Sequence, residues 1–347
     1  WTWRKAPKFF DCVTWTGTGN VTTNLAHSLG SVPASIHIKA TSTSGSWAVC
    51  HRQQTSNGVY TYVRGSSNPS TFGLNSTGIP NVTGSEGNIT ATHFDPRSCG
   101  NAFHVNAQGV SYVAYIFAHN DGDGEFGPSG DQDIIKCGSF TLAGGNNPIA
   151  VDLGWEPQWV LVKSVSGGNW IILDNMRGFL AMPGTGPYSR GLLPNLTNAE
   201  NNSQIQIIPN GFSTNNNSQM GFTGDCIYMA IRRGPLYPPT AATEVFAVDA
   251  YNGNSTANRL ISTGFPIDLA IVANRSSDGL RSSVWDRLRG YRHYMASSST
   301  LAEQTASTEE VYFDQNDGYR LSASTFQGLV NFSGYGGYIG WSFSRAP

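Results

Sequence analysis

Hydrophobic positions along the chain come in short runs separated by small and polar residues. Ile36-His37-Ile38-Lys39 alternates with period two, as a strand with one buried face does. Trp159-Val160-Leu161-Val162-Lys163 and Leu269-Ala270-Ile271-Val272 are apolar without alternation and read as strands covered on both faces. Turn sequences such as "TGTGN", "SGGN", "YNGN" and "DQNDG" separate such runs. Helical periodicity is nearly absent; "TLAEQTASTEE" comes nearest and is expected to make a single helical turn in a loop. Many short strands without crossover helices predict an all-β chain of antiparallel sheets.

The pattern also repeats. A polar and apolar lead-in, a Gly, a Pro, a strand, a Ser/Gly-rich turn and a second strand occur three times, anchored at Gly30 and Pro33, Gly154 and Pro157, and Gly264 and Pro266. Each copy is preceded by another strand ("FFDCVTWTGTG", "IIKCGSFTLAGG", "VFAVDAYNGNS") and closed by a related one ("YVAYIFAH", "YMAIRRGP", "YIGWSFSRAP"). A unit of roughly a hundred residues is too long for a solenoid turn and long enough for its own core. The expected fold is therefore three tandem antiparallel β-sandwich repeats of jelly-roll or lectin-like type: 8–120, 134–235 and 244–347, with linkers at 121–133 and 236–243. "WTWRKAP" at the start resembles the closing "WSFSRAP", so residues 1–7 are expected to be the closing strand of a preceding repeat, or a strand exchanged between domains.

Composition narrows the function classes. Charged residues are 13% and the formal net charge is −2, which offers no footprint for nucleic acid or an anionic membrane. No run of about 18 apolar residues is available to span a bilayer. Five cysteines without a C-x-x-C pair read as buried free thiols rather than a disulfide framework. The seven histidines do not recur at equivalent positions of the copies, and no G-x-S-x-G, H-E-x-x-H or P-loop is present, which points away from an enzyme.

Three sets of residues remain as candidates. Asp174 and Arg177, then Asp286 and Arg289, form a repeated D-x-x-R-G motif, read as a structural bridge that pins a loop. Asp121, Asp123 and Glu125 alternate with glycines, a set of hard oxygen donors that could hold Ca²⁺ or sit in a solvated linker; no other cofactor motif is seen. Among the aromatic residues, Trp155, Tyr188, Tyr291 and Tyr294 lie in loop-like contexts beside polar residues, where they could stack on a sugar ring or pack between domains.

The order F-F-D-x-x-T-W-T-G-T-G, N-L-x-H-x-L-G-x-x-P, an alternating strand with Lys, a Trp strand and Y-V-A-Y-I-F-A, carried by residues 8–118, resembles a family of tail and fibre domains of tailed bacteriophages. The second copy follows it with W-I-I-L-D-N-M-R-G, and the third diverges. The resemblance implies a virion protein on the particle exterior, a tail or fibre component with a role in host attachment. It brings no catalytic residues with it. The implied partners are other virion proteins, further copies of the chain in a homo-oligomer (a trimer by analogy with phage fibres) and a host-surface glycan. A capsid-attached fibre or decoration protein is the alternative, and a glycan depolymerase the more distant one.

Overall fold

The computed structural model describes residues 1–20, 23–45, 47–54, 60–65, 74–79, 89–99, 105–142, 148–165, 168–179, 189–214, 224–234, 238–277, 280, 282–297, 299–308, 310–323 and 329–344, with backbone alone at 53, 54, 60–65 and 74–79. Among them the regular structure is antiparallel β, with only single-turn helices such as Pro96–Ser98, Ala242–Glu244 and Ser333–Tyr335. The expected turn in "TLAEQTASTEE" is instead a short strand, Gln304–Thr305, paired with His293–Ala296.

One sheet order recurs three times. An opening strand pairs with the closing strand, and the closing strand pairs with the strand that follows the Gly–Pro anchor. In the first copy these are Phe10–Thr16, Ser111–Phe117 and Ser35–Ala40; in the second, Ile135–Leu142, Gly224–Arg232 and Pro157–Ser164; in the third, Phe246–Asn252, Gly337–Phe343 and Leu269–Asn274. The three anchor glycines all adopt positive φ, at 70°, 76° and 84° for Gly30, Gly154 and Gly264, a conformation glycine enters without the Cβ penalty. The chain turns there and enters the strand at or just after the proline, which has no N–H to leave unpaired.

The chain folds as two compact units. The first consists of Trp1–Ile172, Gly191–Gln204 and Pro209–Arg233, the second of Leu173–Arg190, Ile205–Ile208 and Gly234–Pro347.

Within the first unit the first-copy sheet has two buried faces. Ile36, Ile38, Cys50, Ala114 and Ile116 point to an inner face, where Leu29, Phe94 and Val105 cover them. Trp15 stacks on Tyr112 at 5.2 Å and meets Phe94 edge-on at 6.2 Å. Cys50 is joined to Cys99 by a disulfide, whereas Cys137 and Cys226 are buried free thiols and Cys12 is a half-buried one. The expectation of free thiols alone is thus corrected: Cys50 and Cys99, far apart in sequence and free of any spacing motif, meet only once the sheet is folded. The second-copy sheet turns Val160, Val162, Tyr228 and Ala230 to its own inner face, over Phe212. Its outer residues Ile135, Cys137, Trp159, Leu161, Met229 and Ile231 join one hydrophobic cluster with first-copy residues such as Phe10, Val49 and Phe117. The two sheets therefore pack outer face to outer face.

Residues 1–7 form no strand. Ala6 bridges to Phe10 across a turn with Lys8 at φ 59°, and Trp3 packs edge-on against Phe117 and Trp159 at 5.4 and 5.3 Å. The segment expected as a closing or exchanged strand is a cover on this unit's own core, held by Trp3.

The second unit buries one face of the third-copy sheet. Ala270, Val272, Trp285, Tyr294 and Tyr338 contact Ile261, Val311, Tyr319 and Leu321 from a smaller sheet made by Arg259–Ser262, Gly318–Leu321 and Val311–Tyr312.

Candidate functional site

The Asp–Arg motif has the same geometry twice. Asp174 Oδ1 accepts the N–H groups of Met176 (3.1 Å) and Arg177 (2.9 Å), and Arg177 Nε donates to Asp174 Oδ2 at 2.6 Å. Asp286 Oδ1 accepts Arg289 N–H at 2.9 Å, and its Oδ2 accepts Arg289 Nε. Gly178 and Gly290 follow at φ 104° and 81°. Each carboxylate closes the turn after its strand and holds its own arginine, which leaves little capacity for a ligand.

The acidic loop does not gather its carboxylates. Asp123 pairs with Lys8 at 3.0 Å and accepts the N–H of Asp121, while Glu125 is exposed. Partial burial works to raise the Asp123 pKa, but Lys8 and that N–H outweigh it and hold the carboxyl below its ordinary range. Asp133 accepts the N–H groups of Gly122 and Gly124 at 2.9 and 3.0 Å. Asn120, fully buried, donates to Lys8 O and accepts from Ile134 and Ile135. The stretch expected as a solvated linker or Ca²⁺ loop is largely exposed, and Lys8, Asn120 and Asp133 pin its turn. Among the described residues no group of three His, Cys, Asp or Glu side chains is placed to hold a metal ion.

The aromatic candidates lie elsewhere than expected. Trp155 is 8% exposed and Tyr294 is 1% exposed, the latter stacked on Trp285 at 5.0 Å. Both are core side chains, corrected from loop platforms. Tyr294 sits on the inner face of strand His293–Ala296, which "GYRHYM" disguises. Tyr291 is half-buried; its hydroxyl donates to Arg177 O and its ring lies 5.6 Å from Tyr312. Tyr188 lies outside the described residues.

A different set of aromatic residues surrounds a groove of about 480 Å³ in the first unit, within the size range of small-molecule sites. Its first wall is the outer face of the first-copy sheet. Period-two alternation puts His37, Lys39, Val49, Tyr115 and Phe117 on that face. Its second wall comes from the second copy: Trp159, Leu161, Trp170, Ile172, Pro194, Asn195 and Met229. Trp3 lines it from the N-terminal segment.

The floor is apolar and the rim is aromatic. Val49, Phe117, Trp159 and Met229 are buried, whereas Trp47 is 39% exposed. Trp47 lies 6.1 Å from the Tyr115 ring, and Lys39 Nζ sits 5.9 Å from the Trp47 centroid while donating to Gly45 O. On the opposite side Asn195 Oδ1 accepts Trp170 N–H at 3.0 Å and its Nδ2 donates to Asn169 Oδ1 at 2.9 Å, which fixes the amide at the groove. His37 shares a hydrogen bond of 2.9 Å with Ser35 Oγ and lies within 5.6 and 6.0 Å of the Phe117 and Trp170 rings. Burial pushes its pKa down to about 4, so the imidazole is neutral at pH 7. Lys39 is then the single formal charge among the described lining residues, and none of them is a carboxylate. The groove can stack an apolar ring face and donate hydrogen bonds from Lys39. Its described lining residues offer no acid–base pair.

The fold is all-β, made of several antiparallel sheets, with an aromatic groove between two of them. The chain belongs to the family described as a domain of unknown function, DUF7483, which it matches over residues 6–235 and 241–346. No curated protein matches the chain.

Proposed function

We propose that the chain is a non-enzymatic structural component of a tailed-bacteriophage virion, a tail or fibre protein on the particle exterior. In this reading it is built of three tandem β-sandwich repeats and holds a host-surface glycan in its aromatic groove. The observation that carries the glycan reading is the groove itself: an exposed Trp47 beside Tyr115 and Lys39, over an apolar floor. A pyranose offers such a site an apolar C–H face to stack and hydroxyls to accept from Lys39. Glycoside cleavage needs two carboxyl groups, about 5 to 9.5 Å apart according to mechanism. Their absence from the described lining favours binding over depolymerisation.

Titration of the full chain with purified host surface polysaccharide, followed by tryptophan fluorescence, tests this. Trp47→Ala should weaken binding by about tenfold or more, roughly 1.4 kcal/mol, with the thermal midpoint unchanged. Binding that survives the substitution would remove the groove from the reading, and release of new reducing ends would replace it with an enzyme. Mass spectrometry of purified particles tests the structural assignment separately, and absence of the chain from them would refute it.

A further inference from the structure

The outer face of the third-copy sheet is apolar and uncovered. Val248 is 49% exposed, Met295 47% and Phe246 38%, and Ile271, Ile339 and Trp341 between them are half-buried. All six point away from the core of their own unit: that cluster takes the alternate residues Ala270, Val272 and Tyr338. Monomeric proteins rarely leave so continuous an apolar face to water.

Register shows what covers such a face. Ile271 stands opposite Trp341 in the third copy, as His37 stands opposite Tyr115 in the first and Leu161 opposite Met229 in the second. These are equivalent positions of equivalent sheets. In the first unit the two outer faces are buried against each other in one cluster. They use each other up, and the third has no such counterpart among the described residues. It is also better suited to full closure than the first: Ile271 and Ala273 occupy the positions of His37 and Lys39, so the polar side chains that border the groove are missing. Among the described residues, charged and titratable side chains at this face lie at its borders. Asp286, Arg289, His293 and Glu303, joined by ion pairs, stand on one side, and the exposed Arg275 lies beside Gly337 past the end of Leu269–Asn274. A face without central charge meets its own copy without like-charge repulsion.

We propose that the outer face of the third-copy sheet pairs with the same face of a second copy of the chain, giving a two-fold, isologous dimer. The pairing reproduces between chains the sheet-on-sheet packing that the first two copies make within one.

Sedimentation velocity of the full chain over a nanomolar to high-micromolar series tests it, with Val248→Lys and Met295→Lys as separate variants. Both side chains are exposed, so thermal midpoints measured at concentrations where wild type is monomeric should match wild type. Wild type should dimerise and each variant should shift to monomer, with at least a tenfold rise in dissociation constant. A larger wild-type assembly that halves on substitution supports the same contact. Wild type that stays monomeric, or an assembly that survives both substitutions, overturns it.

Discussion

At the residue scale, what is asked of a side chain is settled by its neighbours in space, and the Asp–Arg motif is the cleanest case. Asp174 is buried, carries two backbone N–H groups and holds Arg177. Asp174→Ala should cost about 3 kcal/mol, because it uncaps the turn and removes the carboxylate that pairs with a half-buried guanidinium. Asp174→Asn should cost less, since the amide oxygen can still accept both N–H groups. Urea midpoints of the two variants check this, and equal losses would contradict the capping role. The motif was legible because it repeats at fixed spacing within a few residues. The groove was not. Its first wall needs His37, Lys39 and Trp47, which span one hairpin and could be found by alternation, but its second wall needs Trp159, Trp170 and Asn195 from another copy. Nothing in the spacing of residues along the chain states that two outer faces meet. Trp155 and Tyr294 misled for the converse reason: Gly, Pro and polar neighbours look like loop, while the side chains themselves point into a core.

At the element scale, the three opening, closing and anchor strands were readable from apolar runs and turn residues, and the anchor glycines explain why each run begins where it does. The smaller sheets were less readable, since their strands are two to four residues long and too short for a period. Their construction rests on a steric device instead. A Cβ on Gly211 would lie 2.0 Å from Val151 O, and one on Gly318 would lie 2.0 Å from Ile261 O. The two glycines occupy the same place, at the start of a strand paired with the one after the opening strand. Here the requirement is close backbone approach and not φ. Either Gly→Ala change must push two strands apart and should cost about 1–3 kcal/mol. Circular dichroism melts of Gly211→Ala and Gly318→Ala should show both losses; a variant as stable as wild type would mean that the strands relax freely.

For the whole molecule, the face-to-face packing in the first unit carries histidines into its interior. Burial pushes His51 down to about 3 and His119 to about 4, where Arg52 adds to the effect. With His37 at about 4, three imidazoles are held neutral in and around one interface. The sign follows from the unfolded chain, whose histidines take up protons near pH 6.5. Below that pH the unfolded state binds protons that the folded state refuses, so stability is full above about pH 6.5 and falls as the pH drops towards 4. His51, almost fully buried, should alone remove about 2 kcal/mol between pH 7 and pH 5. The carboxylates held below their ordinary range, Asp11, Asp123 and Asp314, lose their contribution only at lower pH, so the two windows separate. Urea unfolding at pH 7, 6 and 5 should show this slope, and His51→Gln should flatten it by close to one proton. If His51→Gln kept the wild-type slope, the histidine would have to be protonated in the folded protein, and the interface would be wetter than its packing implies.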